Sequence, residues 1–342
     1  MSLLASSNKL TMRLTYMKLR TIPRLLVLAA VSLLDFTTLP ARSADYHPLK
    51  EIPVGGAGGF DYLTVDPSAG RLYVSHGTKV VVIDIEKGAI VGEVADTPGI
   101  HGIAIAPDLK RGFTSNGREA KASIFDPESL KTLSKVETGP NPDAILYEPG
   151  QQEVYTFNGR GKSATVFGAQ TGKVIATIPL SGKPEFATAD PKAGRVYCNI
   201  ENKSEIAVID TKTHQVVNNW KIEPGEEASG MAIDLEHHRL FSGCHNKLMV
   251  MMDNTNGKVV ATVPIGDGVD ANAFDPGTQL AFSSNGEGTV TIAHEDSPDK
   301  LTVVQTLKTQ RGARTMSLDP KTHNIYLAVG SGETFKILVY GM

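Results

Sequence analysis

One pattern governs this sequence: an apolar run closing in Asp-Pro, or a near variant of it, seven times over. The copies are Asp61-Tyr-Leu-Thr-Val-Asp-Pro67, His101-Gly-Ile-Ala-Ile-Ala-Pro107, Asp143-Ala-Ile-Leu-Tyr-Glu-Pro149, Glu185-Phe-Ala-Thr-Ala-Asp-Pro191, Ser229-Gly-Met-Ala-Ile-Asp-Leu235, Asp270-Ala-Asn-Ala-Phe-Asp-Pro276 and Arg314-Thr-Met-Ser-Leu-Asp-Pro320. Their starts lie 40, 42, 42, 44, 41 and 44 residues apart. A period of about 40–45 residues is that of a four-stranded propeller blade. Each copy leads into a second apolar run (Arg71-Leu-Tyr-Val-Ser75, Val154-Tyr-Thr-Phe157), a β-branched third (Val80-Val-Val-Ile83) and an outer fourth (Val174-Ile-Ala-Thr-Ile178). The chain reads as an all-β, seven-bladed β-propeller.

The seventh repeat stops after its third strand, Phe335-Lys-Ile-Leu-Val-Tyr340, while Tyr46-His-Pro-Leu-Lys-Glu-Ile-Pro-Val54 is left over ahead of the first. Pairing the two closes the ring, because the N-terminal strand then supplies the outer strand of the last blade and no sheet edge stays open. No linker remains, so residues 45–342 are expected to form one domain, a size that propellers accommodate.

The blade motifs Tyr73-Val-Ser-His76, Tyr155-Thr-Phe-Asn158, Ile206-Ala-Val-Ile-Asp-Thr-Lys-Thr213 and Val174-Ile-Ala-Thr-Ile-Pro-Leu-Ser-Gly-Lys-Pro184 resemble the YVTN-repeat (YncE-like) propeller family over essentially the whole chain after residue 44. The resemblance implies the fold. It does not choose a function, because that family mixes binding proteins and surface proteins, and function lives in the site rather than the fold.

The first 44 residues differ from the rest. Lys18, Arg20 and Arg24 precede the apolar run Leu25 to Leu34, and small residues follow at Ala41, Ser43 and Ala44. The run is too short to span a bilayer but suits a cleaved secretory signal, with Met12 or Met17 as alternative starts and cleavage after Ser43. The expected location is periplasmic or secreted, with no transmembrane segment in the mature chain. Export permits disulfides, yet Cys198 and Cys244 fall at non-equivalent strand positions and are expected as two buried thiols. A net charge of −3 and 6% aromatic content argue against nucleic acid as a partner. The expected chain is a monomer that takes a small molecule or a protein at the channel mouth.

Blade topology brings the start of each first strand and the end of each second strand to one face. Counting across the turn sets residues 15 apart opposite each other: Asp61 with His76, His101 with Asn116, Asp143 with Asn158, Glu185 with Ile200, Ser229 with Cys244, Asp270 with Asn285 and Arg314 with Val329. Asp61, Asp143, Glu185 and Asp270 would converge there and need a cation or basic side chains to compensate them. Three uses compete. His76, His101, Asp61 and Asp270 would suit a transition metal or zinc, whereas Asp143, Asn158, Asp270 and Asn285 would suit calcium. Lactonase- or lyase-like catalysis would take His76 or His101 as general base, with Arg314 binding an anionic group and any metal assisting. The third use is a non-catalytic interaction scaffold, with Asp143, Asn158, Glu185, Asn116 and Asn285 as ligand contacts. Against the Asn assignments, Asn116-Gly117, Asn158-Gly159 and Asn285-Gly286 are also ordinary hairpin-turn pairs.

Overall fold

The computed structural model describes residues 44–342, so the segment read as a signal peptide lies outside the described residues except for Ala44. Those residues fall within one compact unit, and no described helix is long and apolar enough to cross a membrane. Seven sheets of four antiparallel strands follow one another along the chain. Blade one consists of Leu63–Asp66, Arg71–His76, Lys79–Asp84 and Ala89–Val94, inner to outer, and blades two to six repeat this order.

The last blade is completed as expected. Its inner strands are Met316–Leu318, Ile325–Val329 and Lys336–Gly341, and the N-terminal strand His47–Pro53 pairs with the third of them. Of that closing strand only Ile52 is buried, opposite Ile337. Pro48 and Pro53 are tolerated because this is an outer strand with no further neighbour to donate to. Tyr46 fastens its start: the hydroxyl donates to His323 O at 2.6 Å and the ring packs edge-on against Phe282 of blade six at 5.3 Å.

Middle strands carry the core. Arg71–His76, Glu153–Asn158 and Leu280–Asn285 are buried almost residue for residue, because neighbouring blades cover both faces of each sheet. Outer strands such as Val174–Pro179 are mostly exposed. Both cysteines are free and buried in the core, as the sequence suggested.

One irregularity positions the site. In blades two to six the inner strand pairs its first residue with the end of the second strand, as in Ile100 with Asn116, Pro142 with Asn158 and Val269 with Asn285. The register then shifts before regular pairing resumes. This bulge moves the expected 15-residue pairs by one place: Asn158 lies opposite Pro142, and Asp143 belongs to the bulge itself. A one-residue slip exchanges the two faces of a strand, and a bulge re-aims the side chain it carries.

Candidate functional site

The shift decides which side chains reach the channel. Inner-strand residues Asp61, His101, Asp143, Glu185 and Asp270 are each partly exposed, at the mouth end of their strands. Their supposed partners are not there. Asn116 is fully buried, with its amide donating to Glu119 Oε1 and Ser123 Oγ, each at 2.8 Å. Asn158 donates to Ser163 Oγ and Thr165 Oγ1 at 3.1 Å, and Asn285 to Thr289 Oγ1 at 3.1 Å and Thr291 Oγ1 at 3.2 Å. These amides lock the loop to the third strand of their own blade, which removes the carboxylate–Asn arrangement on which calcium depended. The Asn-Gly pairs are not positive-φ hairpin turns either; positive φ falls further on, at Ala120, Lys162 and Gly288.

His76 also turns away from the channel. Its ring stacks on Phe335 of blade seven at 4.6 Å, and its nitrogens approach the Gly55–Gly59 backbone without completing a hydrogen bond. Burial, then Lys79, holds its pKa below the ordinary histidine value. It does not join the metal or catalytic set expected of it.

The second-strand residues that face the rim are one place earlier. Ser75 Oγ accepts from Asp61 N at 2.7 Å; Ser115 Oγ accepts from Gly102 N at 2.9 Å and donates to Asp143 O in the next blade. Ser284 likewise donates to Arg314 O, and Asn199 to Ser229 O at 2.8 Å. Ser115, Asn199 and Ser284 tie blade two to three, four to five and six to seven at the inner-strand starts, while Ser75 holds Asp61 within blade one. Their signal was available as the alternate face of the second strand.

Two further residues form a floor. Tyr62 of blade one and Phe186 of blade four meet across the channel with ring centroids 5.0 Å apart. The buried Tyr62 hydroxyl donates towards Asp270 of blade six, 3.1 Å from its carbonyl and 3.3 Å from Oδ1. The same position holds Gly102, Ala144, Gly230, Ala271 and Thr315 in the other blades, which leaves room for the two rings. Below the floor lies a mainly apolar cavity of about 480 Å³ between Ile103, Ile145, Phe274 and Met316. The acidic mouth is therefore a cup with a closed bottom.

Within the cup, His101 Nδ1 lies 2.7 Å from Asp61 Oδ2 and 3.4 Å from Asp143 Oδ1. One ligand atom from each of these three residues falls within 4.8 Å of the others. The remaining acids have strong cations of their own: Arg314 Nε is 2.6 Å from Asp270, and Lys183 bridges Glu185 and Glu201. Among the described residues, the basic group within ion-pair distance of Asp61 and Asp143 is the shared imidazole, with Lys183 and Arg314 acting from further away. His245 stands 3.7 Å from Glu201 at the outer side of the rim.

Charge crowding follows from this geometry. Burial pushes Asp143 up to about 6, with His101 opposing and Asp61 adding to the rise. Burial and then Asp143 push Glu185 up to about 8 despite Lys183, and burial with Asp61 raises Asp270 against Arg314. Burial disfavours the His101 imidazolium, but the hydrogen bond to Asp61 and the surrounding carboxylates outweigh it and raise its pKa. The Nε2 edge of that ring passes directly over Gly117, where an added Cβ would sit 2.6 Å away.

Fold and mouth together define a seven-bladed β-propeller with an acidic, dead-ended cup at one face. A subunit of hydrazine synthase from Kuenenia stuttgartiensis has the same fold, with a TM-score of 0.72 and 17% identity over 82% of this chain and 95% of that one. At that identity the likeness is one of fold alone. No family model matches the chain, and no curated protein sequence matches it.

Proposed function

We propose that this chain is an exported, YVTN-type propeller that holds a divalent metal ion in the cup on Asp61, His101 and Asp143. The observation that carries this reading is the uneven compensation of the rim. Glu185 and Asp270 each have a lysine or arginine, while Asp61 and Asp143 face each other with one imidazole between them. Two carboxylates and an imidazole favour zinc or a first-row transition metal over calcium. The ion would supply Lewis-acid polarisation or an activated water at an open position. Asp270, expected as a ligand, is engaged with Arg314 and lies outside the three-residue group.

The leader and the repeat motifs support a periplasmic or secreted setting. The test is metal content of protein prepared without an affinity tag. Wild type is expected to carry about one equivalent more than His101→Ala; equal metal in the two would overturn the reading and favour a scaffold that binds partners through this face.

A second reading rests on the 2.7 Å Asp61–His101 contact. A carboxylate on Nδ1 orients an imidazole for general-base work through Nε2, and Arg314, half-exposed on the same rim, would bind an anionic group of a lactone or ester product. A lactone and ester screen comparing wild type with His101→Ala checks this; equal rates would remove it.

A further inference from the structure

A second histidine–carboxylate group lies away from the cup, where the turn of blade five meets the third strand of blade six. His237 Nδ1 is 2.6 Å from Asp234 Oδ2 and 3.7 Å from Glu295 Oε1, and the three ligand atoms fall within 4.8 Å of one another. Asp234 alone is ordinary turn chemistry, because its Oδ1 accepts from Glu236 N at 2.9 Å, as the aspartates ending other inner strands do in their own turns. Oδ2 is left facing the niche.

Glu295 is the unusual member. It is 4% exposed, and neither of its carboxylate oxygens has a hydrogen-bond partner. The repeat supplies its own control. Glu295 N donates to Gln279 O at 2.9 Å, and the matching backbone bond is made by Ile85, Ala169, Thr211 and Asn254 in blades one, three, four and five. All four are uncharged, so the fold does not ask for a carboxylate here. Arg239 attracts it only from a distance: its guanidinium donates to the His237 and His238 carbonyls and to Pro298 O, pairs with Asp253 and Asp299, and makes no contact with Glu295. A buried carboxylate whose one near neighbour is an imidazole at 3.7 Å, with no hydrogen bond made, is strongly disfavoured, and such groups are paired or bind metals.

We propose that Asp234, His237 and Glu295 form a structural divalent-metal site, with zinc the best fit, that staples blade five to blade six. Donors on one tetrahedral zinc at about 2.0–2.1 Å stand about 3.3 Å apart. The observed 2.6 and 3.7 Å separations straddle that spacing, and the half-exposed His237 ring is the member free to adjust.

The test is zinc titration of tag-free, chelator-stripped protein in a His101→Ala background, which isolates this site from the cup. That chain is expected to take up one equivalent and to melt several degrees higher with zinc present. Adding Glu295→Gln should weaken uptake by more than the roughly 100-fold of a lost outer-sphere partner. Adding His237→Ala, at a partly exposed position, should do the same and carries the test if the Glu295 variant folds poorly. Uptake unchanged by either addition, or no uptake by His101→Ala protein, would overturn the proposal; wild type matching His101→Ala would count against the cup alone.

Discussion

Among the described residues a histidine is set between two carboxylates in two places, and their surroundings differ. At the cup, His101, Asp61 and Asp143 have side chains 28%, 18% and 17% exposed, within reach of channel water and of further acids on the rim. In the niche, Asp234 and Glu295 have side chains 1% and 0% exposed, and only the His237 edge meets solvent. Water screens a half-open cluster, and its members can share protons as conditions change. A sealed carboxylate has no such relief and must be neutralised or ligated. The cup is thus suited to exchange with what enters the channel, and the niche to holding one ion permanently.

The strongest way to break this contrast is to open the floor. Tyr62→Ala removes the ring that meets Phe186 and joins the cup to the apolar cavity beneath it. Loss of a buried aromatic should lower unfolding free energy by about 3–5 kcal/mol, measured by denaturant titration. A loss under about 1 kcal/mol would mean that the floor is not packed as described.

Next in size is the response of the metal-free protein to pH. The native pKa values of Asp143 and Glu185 are raised from 3.8 and 4.5 to about 6 and 8, and that of His101 is raised also. The native state then binds more protons than the unfolded chain, so stability is greatest below about pH 4.5 for these groups and is lost as pH climbs towards 8. The unfolding free energy should fall across that window by several kcal/mol, and the melting temperature with it. Glu185→Gln should flatten most of the slope; a flat wild-type profile would place these carboxylates in a wetter setting than the cup provides.

A third measurement separates the two sites. Gly117→Ala replaces none of the three proposed ligands but puts a methyl against the Nε2 edge of the His101 ring, opposite the Nδ1 that faces Asp61 and Asp143. Zinc affinity of the cup is expected to weaken roughly 10- to 100-fold, the range for a disturbed supporting contact, with the niche unaffected. Gly286→Ala is the matched control at the equivalent position of blade six, because its Cβ would crowd the Gly268 carbonyl at 3.2 Å and no histidine ring. Equal effects of the two would show that His101 is not held by that passage over Gly117.

How much of this was legible beforehand follows from what leaves a mark in residue types. Blade number and ring closure were readable because Asp-Pro turns and β-branched runs recur with a fixed period, and because the last repeat lacks a strand that Tyr46–Val54 supplies. The inner-strand acids were readable for the same reason. Their partners were not: the bulge at the start of five inner strands carries no residue signature, and one slipped place exchanges Asn116, Asn158 and Asn285 for Ser115, Phe157 and Ser284 on the channel side. The floor was half-legible, since Tyr62 and Phe186 are the large residues in a column otherwise small. The niche was illegible: His237 reads as a turn residue, and Glu295 becomes unusual only once the blades are superimposed.

The smallest expected effect tests how the floor and the rim speak to each other. The Tyr62 hydroxyl links the floor to a rim acid, donating towards both the carbonyl and Oδ1 of Asp270, which Ser229 also reaches at 3.1 Å. Tyr62→Phe keeps the ring contact with Phe186 and deletes that donor. The expected loss is about 1 kcal/mol, a single hydrogen bond. Asp270 would still have Arg314 and Ser229, so zinc affinity at Asp61, His101 and Asp143 should not move. A drop in that affinity would instead show that the floor sets the acids' positions, and the cup would then be one cooperative unit from Tyr62 upward rather than a rim resting on a plug.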